Sequence, residues 1–385
     1  MHNRTEQFLN DPVFPLLIRM SAPNTIAFFI QAIVVLAEVW FISKLGTTSL
    51  AAVAIAFPII MLTQQMAFGA LGGAVTSSIA RSLGAEDKER AEKLLWHSLL
   101  LSCCGYLLFF LIFFIGGENL LMALGGEGLL LEESLLYIKI FLTGAIFIWL
   151  SGMLSAALRG IGNMRFPALL MIAGSGIQVI LAGGLILGWF GFPKLGIIGA
   201  PLSAISVAAL MAIAMIFKFI HSSSNVQLKL SNLSFKKELF RDIFNVALPA
   251  SLAPIFTVGT ILILTGLVGQ FGVSALAGYG IGSRIEFLMI PLVFGIGTAM
   301  TTMVGTNIGA KKVERAERIG WLGGSFAGLF SGMIGLMLIL SSSYWINFFA
   351  TDQATYEVTK QYIEIVGLCF TFQGLGLSLY FASQG

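Results

Sequence analysis

Ten stretches of this chain are each long and apolar enough to cross a lipid bilayer, and no water-soluble fold can hide that many. A spanning α-helix needs about 20 apolar residues, because the hydrocarbon core is about 30 Å thick and each helical residue rises about 1.5 Å. The runs are Leu16–Leu45, Leu50–Ala80, Leu94–Ile115, Leu130–Leu158, Phe166–Trp189, Gly196–Phe219, Ile243–Gln270, Ala275–Ile308, Ile319–Ser342 and Thr355–Ser383. Charged residues make up only 11% of the chain and the mean hydropathy is +0.91. A water-facing surface needs far more charge, since soluble domains carry about 25%. Alternation with a period of two is absent, which argues against an outer-membrane barrel. No short apolar run with a cleavage site stands at the start, so the first run reads as a retained span. The expected fold class is an all-α integral membrane protein. Cys103, Cys104 and Cys369 lie in apolar runs without metal spacing and read as buried apolar fillers.

Basic residues set the expected orientation. One set of connections and helix ends holds Arg4, Arg19, Arg81, Lys88, Arg90, Lys93, Arg159, Arg165, Lys218, Lys229, Lys236, Lys237, Arg241, Lys311, Lys312, Arg315 and Arg318. The alternating set holds only Lys44 and Lys194. Positive charge stays on the cytoplasmic side. The N-terminus is therefore expected inside, with loops 116–129 and 343–354 outside. The longest connector, 221–240, is too short to be a soluble domain, and without one a nucleic-acid role is excluded.

The chain also repeats itself. Glu89-Arg-Ala-Glu-Lys-Leu-Leu-Trp96 returns as Glu314-Arg-Ala-Glu-Arg-Ile-Gly-Trp321, an offset of 225. At that offset Glu132 meets Glu357, Tyr137-Ile138 meets Tyr362-Ile363 and Gly160 meets Gly385. Nearer the start the offset is 226, matching Pro23 to Pro249, Gly46 to Gly272 and Leu50-Ala51 to Leu276-Ala277. Six crossings return the first copy to its starting side, so the two copies run parallel. The expected organisation is a first lobe over 1–220, a connector over 221–240 and a second lobe over 241–385. The second copy stops at the partner of Gly160, so two further helices of a twelve-helix plan are expected to be missing.

These residues carry a family resemblance. The first run and its loop read Ala37-Glu-Val-Trp-Phe-Ile-Ser-Lys-Leu-Gly46, then Leu50-Ala-Ala-Val. The second ends Ile79-Ala-Arg-Ser-Leu-Gly-Ala85, and the fourth ends Ala157-Leu-Arg-Gly-Ile-Gly-Asn-Met-Arg-Phe-Pro167. The second copy contributes Val304-Gly-Thr-Asn-Ile-Gly-Ala310. In order, and joined to the parallel repeat, they resemble the multidrug and toxic compound extrusion (MATE) family of antiporters across essentially the whole chain. The resemblance implies a two-lobed transporter in the bacterial plasma (inner) membrane, working as a monomer. It would export organic, often cationic and aromatic, compounds in exchange for H⁺ or Na⁺, and no cofactor is expected.

Charges inside spans are candidates for function, because each costs about 2.5–3.5 kcal/mol at a helix centre on insertion scales. Glu38, Lys139, Arg284, Glu286, Lys360 and Glu364 are such residues. Counted from the helix ends, all lie in the outer half, which points to a polar cavity opening outward. The alternative is a set of ion pairs pinning helices together, Arg284 with Glu286 or Glu38 with Lys139. Glu38 is the candidate coupling residue, matching the position where many relatives carry an Asp on the first helix. Desolvation disfavours the charged form of a carboxyl in an apolar cavity. Such a group can load a proton on one side and release it on the other.

The chain also departs from the family pattern. Where many members carry Asn and Asp four residues apart on the fifth helix, Gln178 and Ala182 stand here. Thr257 and Gln373 replace acids that some members carry on the seventh and tenth. One carboxylate is a thin Na⁺ site, so H⁺ is the expected coupling ion and Na⁺ the alternative. Gln31, Gln64, Gln178 and Gln373 could line a substrate path or bond between helices. A flippase for a lipid-linked saccharide or other amphipathic lipid is the alternative function, though it would need several unpaired buried Arg to grip phosphate. His2, His97 and His221 lie at or near cytoplasmic ends, and no nucleophile–base pair or metal motif points to an enzyme.

Overall fold

The computed structural model describes residues 4–221, 226–286, 289–349 and 353–385; no side-chain description covers 273, 284–286, 348 and 349. A short α1 (Arg4–Asn10) leads into α2 (Val13–Ser43). The second crossing is one continuous rod, α3 (Thr47–Gln65), a π-helical turn over Met66–Leu71, and α4 (Gly72–Gly84). Then follow α5 (Lys88–Ala123), α6 (Gly128–Gly160), α7 (Arg165–Leu187) and α8 (Gly199–His221). The second half holds α9 (Lys237–Gly269), α10 (Val273–Glu286), α11 (Ile290–Gly309), α12 (Val313–Leu340), α13 (Ser342–Phe349) and α14 (Gln353–Gln384). No strand occurs among the described residues, and ten helical stretches there are long and apolar enough to cross a membrane.

Three local expectations need correction. The run 275–308 is two helices, α10 and α11, with Pro291 in the first turn of the second. Proline fits there because the first turn does not need its missing N–H. Loops 116–129 and 343–354 are largely helical: α5 continues to Ala123, and α13 occupies 342–349. The three cysteines are exposed on the helix surfaces, not buried. Cys103 and Cys104 share the outer surface of α5 with Leu107, Leu111, Phe114 and Ile115, a surface that suits lipid contact.

The sequence repeat is written into the backbone. Glu86 and Lys311, 225 residues apart, both take a left-handed conformation, at φ 61 and 60°. Gly46 and Gly272, 226 apart, do so at φ 126 and 100°. The Thr76 hydroxyl donates to the Ala156 carbonyl at 2.9 Å, and its repeat mate Thr301 donates to Phe381 at 2.8 Å. The two copies thus share not only helices but the bonds between them.

Packing crosses between the copies at the end of the bundle that carries the basic loops. There Leu16 and Leu17 of α2 are buried with Ile296, Met300 and Ile319 of α11 and α12. Reciprocally, Leu239, Ile243 and Ala247 of α9 are buried with Ala74, Leu94 and Leu95 of α4 and α5. At the opposite end each half keeps its own core, around Phe41, Ile59 and Phe141 in one and Val293, Leu338 and Phe370 in the other. The connector before α9 docks on α5. Trp96 Nε1 donates to the Lys229 carbonyl at 3.0 Å, Asn232 Nδ2 donates to Glu92 at 2.5 Å, and the Lys236 N–H donates to His97 Nε2 at 3.0 Å.

Candidate functional site

Polar side chains recur on α2 at Asn24, Gln31 and Glu38, seven residues apart. Two helical turns bring each back to nearly the same face, about 10 Å further along. All three are engaged by other helices. Asn24 Nδ2 donates to Thr298 Oγ1 of α11 at 3.1 Å, joining the two copies. Ser175 Oγ of α7 donates to Gln31 Oε1 at 3.1 Å. Gln178 Nε2 of α7 donates to Glu38 Oε1 at 2.9 Å. Ser203 Oγ of α8 lies 3.4 Å from the same carboxyl oxygen and donates to the Ala200 carbonyl at 2.7 Å. A polar line thus runs along α2 between α7 and α8 and meets α11 toward the basic end.

Glu38 holds only neutral hydrogen-bond partners, and no ion pair reaches it among the described residues. Lys139 is exposed on α6 and does not pair with it. Glu364 is exposed on α14, and Gln64 is exposed on α3. Gln373 is half-buried on α14. Arg284 and Glu286 fall in α10, but their side chains lie outside the described residues. The structure therefore brings Glu38, Gln31 and Gln178 onto one line, and none of Lys139, Glu364 and Gln64 bonds to that line through its side chain. Gln178 is buried against Glu38, occupied as a helix-to-helix bond. Asn24, Ser175 and Ser203 were not singled out by sequence, although the spacing of Asn24 from Gln31 and Glu38 was a usable signal.

A second set of contacts closes the basic end. There α4 crosses α11 so closely that a Cβ on Gly84 would lie 2.0 Å from the Thr306 carbonyl oxygen. A Cβ on Gly309, the repeat mate of Gly84, would lie 2.0 Å from the Arg81 oxygen. Beside this crossing, Asp242 of α9 takes Arg81 of α4 at 2.9 Å and Arg90 of α5 at 3.0 Å. Arg315, the repeat mate of Arg90, reaches the other way: its Nε donates to the Phe8 carbonyl at 3.2 Å, and its guanidinium also donates to that of Asp11. The repeated Glu-Arg-Ala-Glu segment thus supplies one arginine per copy to clasp the other. Asp242→Asn should lower the thermal midpoint by the equivalent of about 1 kcal/mol at most, because these pairs are partly exposed. The deficit should shrink as salt rises; a fluorescence melt at low and high salt checks both.

A family model described as MatE matches residues 23–183 and 249–385, one segment in each copy of the repeat. The chain belongs to the MatE family. MatE members include multi-pass membrane transporters for multidrug and toxic compound efflux, so the chain is a transporter by family. It is 26% identical over 379 residues to the FAD transporter of Shewanella oneidensis, covering 97% of this chain and 82% of that one. It is 24% identical to the probable multidrug resistance protein NorM of Thermotoga maritima, covering 96% and 79%. A solved structure described as the outward-facing conformation of a multidrug resistance MATE family transporter superposes with a TM-score of 0.87 at 25% identity. That match covers 98% of this chain and 84% of the other. This MatE chain therefore spans about four-fifths of the length of the curated relatives it matches.

Proposed function

We propose that this protein is a secondary antiporter that exports organic cations in exchange for H⁺, with Glu38 as the group that carries the proton. The supporting observation is the bonding of Glu38: a carboxyl within a spanning helix, held by Gln178 and Ser203 and paired with no cation among the described residues. The Ser203 hydrogen is directed at the Ala200 carbonyl, the shorter of its two contacts. A neutral Glu38 can donate to the free lone pair of Ser203; a charged Glu38 must draw that hydrogen away from Ala200. Loss of the proton thus rearranges the α2–α8 contact, which is the differential interaction a coupling step requires. Na⁺ fits less well, because the line supplies a single carboxylate where that ion prefers several oxygen ligands.

In this reading residues 1–220 and 241–385 form two lobes, and the basic end is cytoplasmic. The Gly84–Gly309 crossing and the Asp242 clasp then close the inner side, so the state is outward-facing. Its likeness to a structure described in that state supports this. The inward-facing state requires both contacts to part. The plasma membrane of a bacterium is the setting that the bacterial relatives support.

The name of the Shewanella oneidensis relative brings an anionic flavin nucleotide into consideration. Vesicles carrying the protein should therefore be tested with ethidium and with FAD, driven separately by a pH gradient and a Na⁺ gradient. Ethidium export in the pH gradient alone is the expected result. Export of FAD without ethidium, or dependence on Na⁺ alone, would overturn the substrate or the ion.

A further inference from the structure

Three arginines that take no part in the coupling line or the clasp converge on one small cavity. It measures about 110 Å³ and lies where α1, α2 and the α6–α7 turn meet at the basic end. Arg4 comes from α1, Arg19 from α2 and Arg165 from the first turn of α7. No Asp or Glu lines the cavity, and none of the three guanidiniums makes an ion pair among the described residues.

The cavity is shaped, not merely basic. Its floor is the Phe8 ring, 3% exposed, pressed onto Gly162 so closely that a Cβ there would sit 2.5 Å from Cε2. Gly162 also takes φ +80°, which L side chains rarely adopt. Gln7 and Asn163 add amides to the wall. Asn163 Oδ1 accepts from the Phe166 N–H at 3.3 Å, which fixes the start of α7 beside the cavity. Three guanidiniums without an ion pair around one void, with the Gln7 amide beside them, match a tetrahedral oxyanion. Arginine is suited to it, because its planar fork meets phosphate oxygens two at a time.

We propose that this cavity binds a phosphate group, supplied by the headgroup of an anionic phospholipid in the cytoplasmic leaflet or by a soluble phosphate. The site rests on the cytoplasmic placement of the basic end, but not on transport or on Glu38. A bound phosphate would tie α1 to the start of α7. Because α1 is already held by Arg315 of α12, and by Asn307 Nδ2 of α11 donating to the Phe8 carbonyl at 3.1 Å, the ligand would brace both copies against each other.

The test uses the full chain in nanodiscs and reads the thermal midpoint, which a ligand of the folded state raises. One arm titrates inorganic phosphate into phosphatidylcholine discs, with chloride at equal ionic strength as control. The other replaces part of the phosphatidylcholine by phosphatidylglycerol without added phosphate. A rise in either arm is expected and names the source. In R19Q/R165Q the same rise should need about tenfold more ligand, as expected for lost charge-assisted bonds. All three arginines are exposed; if that variant does not fold, R4Q gives the same comparison from α1. No rise in either arm, or an equal rise in wild type and variant, would overturn the site.

Discussion

Glu38→Gln should reduce proton-driven ethidium export to the leak of empty vesicles, a loss of at least about tenfold. The substitution is close to isosteric and keeps a polar group within reach of Gln178 and Ser203, so the helix contacts of α2 survive. What it removes is the change of charge. A group that cannot lose a proton cannot favour two arrangements of α2 against α8, and a gradient then has nothing to act on. Glu38→Asp restores the proton but shortens the side chain by one methylene, stretching the 2.9 Å bond from Gln178; partial export is expected from it. Binding of ethidium to the purified Glu38→Gln protein should persist, which separates lost coupling from lost folding. Wild-type export from Glu38→Gln would remove Glu38 from the mechanism.

The second large effect is expected at the crossing of α4 and α11. Gly84→Ala and Gly309→Ala each place a methyl 2.0 Å from a backbone oxygen, Thr306 in one case and Arg81 in the other. Backbone on both sides leaves no flexible side chain to yield. Overpacking of this kind costs about 1–3 kcal/mol per site. If the two lobes part there during transport, that cost falls on the closed state alone and shifts the balance toward the open one by about 5- to 150-fold. With the three native cysteines replaced by serine, a Ser77→Cys reporter on buried α4 should then be labelled faster by a water-soluble maleimide, and export should fall. Unchanged labelling and unchanged export in the double alanine variant would show that the crossing is not a closure.

Depth along a helix was legible in the sequence, whereas direction around it was not. Nine of the ten apolar runs each became one span and 275–308 became two helices, and the offsets 225 and 226 mark a repeat that recurs at Glu86 and Lys311 and in the bonds of Thr76 and Thr301. Glu38 was singled out because a carboxyl at that depth is costly. Lys139 and Glu364 share its depth, and both are exposed and take no side-chain bond to it. In a soluble helix the apolar stripe tells one face from another. In a spanning helix both the lipid face and the packed face are apolar, so that signal is lost. The bond from Gln178 to Glu38 joins positions 140 residues apart, and the pair of Arg81 with Asp242 joins positions 161 apart. No local pattern encodes such partners. The π-helical turn at Met66–Leu71 and the helical tips at 117–123 and 342–349 escaped because nothing in their composition marks them off from their neighbours.

If Glu38 carries the exchanged proton, it gives that proton up as the cationic substrate is bound and regains it as the substrate leaves. Proton release can be followed directly, by adding tetraphenylphosphonium to purified protein in weakly buffered detergent with a pH-indicating dye. Wild type should acidify the solution in proportion to the bound cation, and Glu38→Gln should bind the cation without acidification. Equal acidification in both proteins, or binding by wild type with none, would contradict the account.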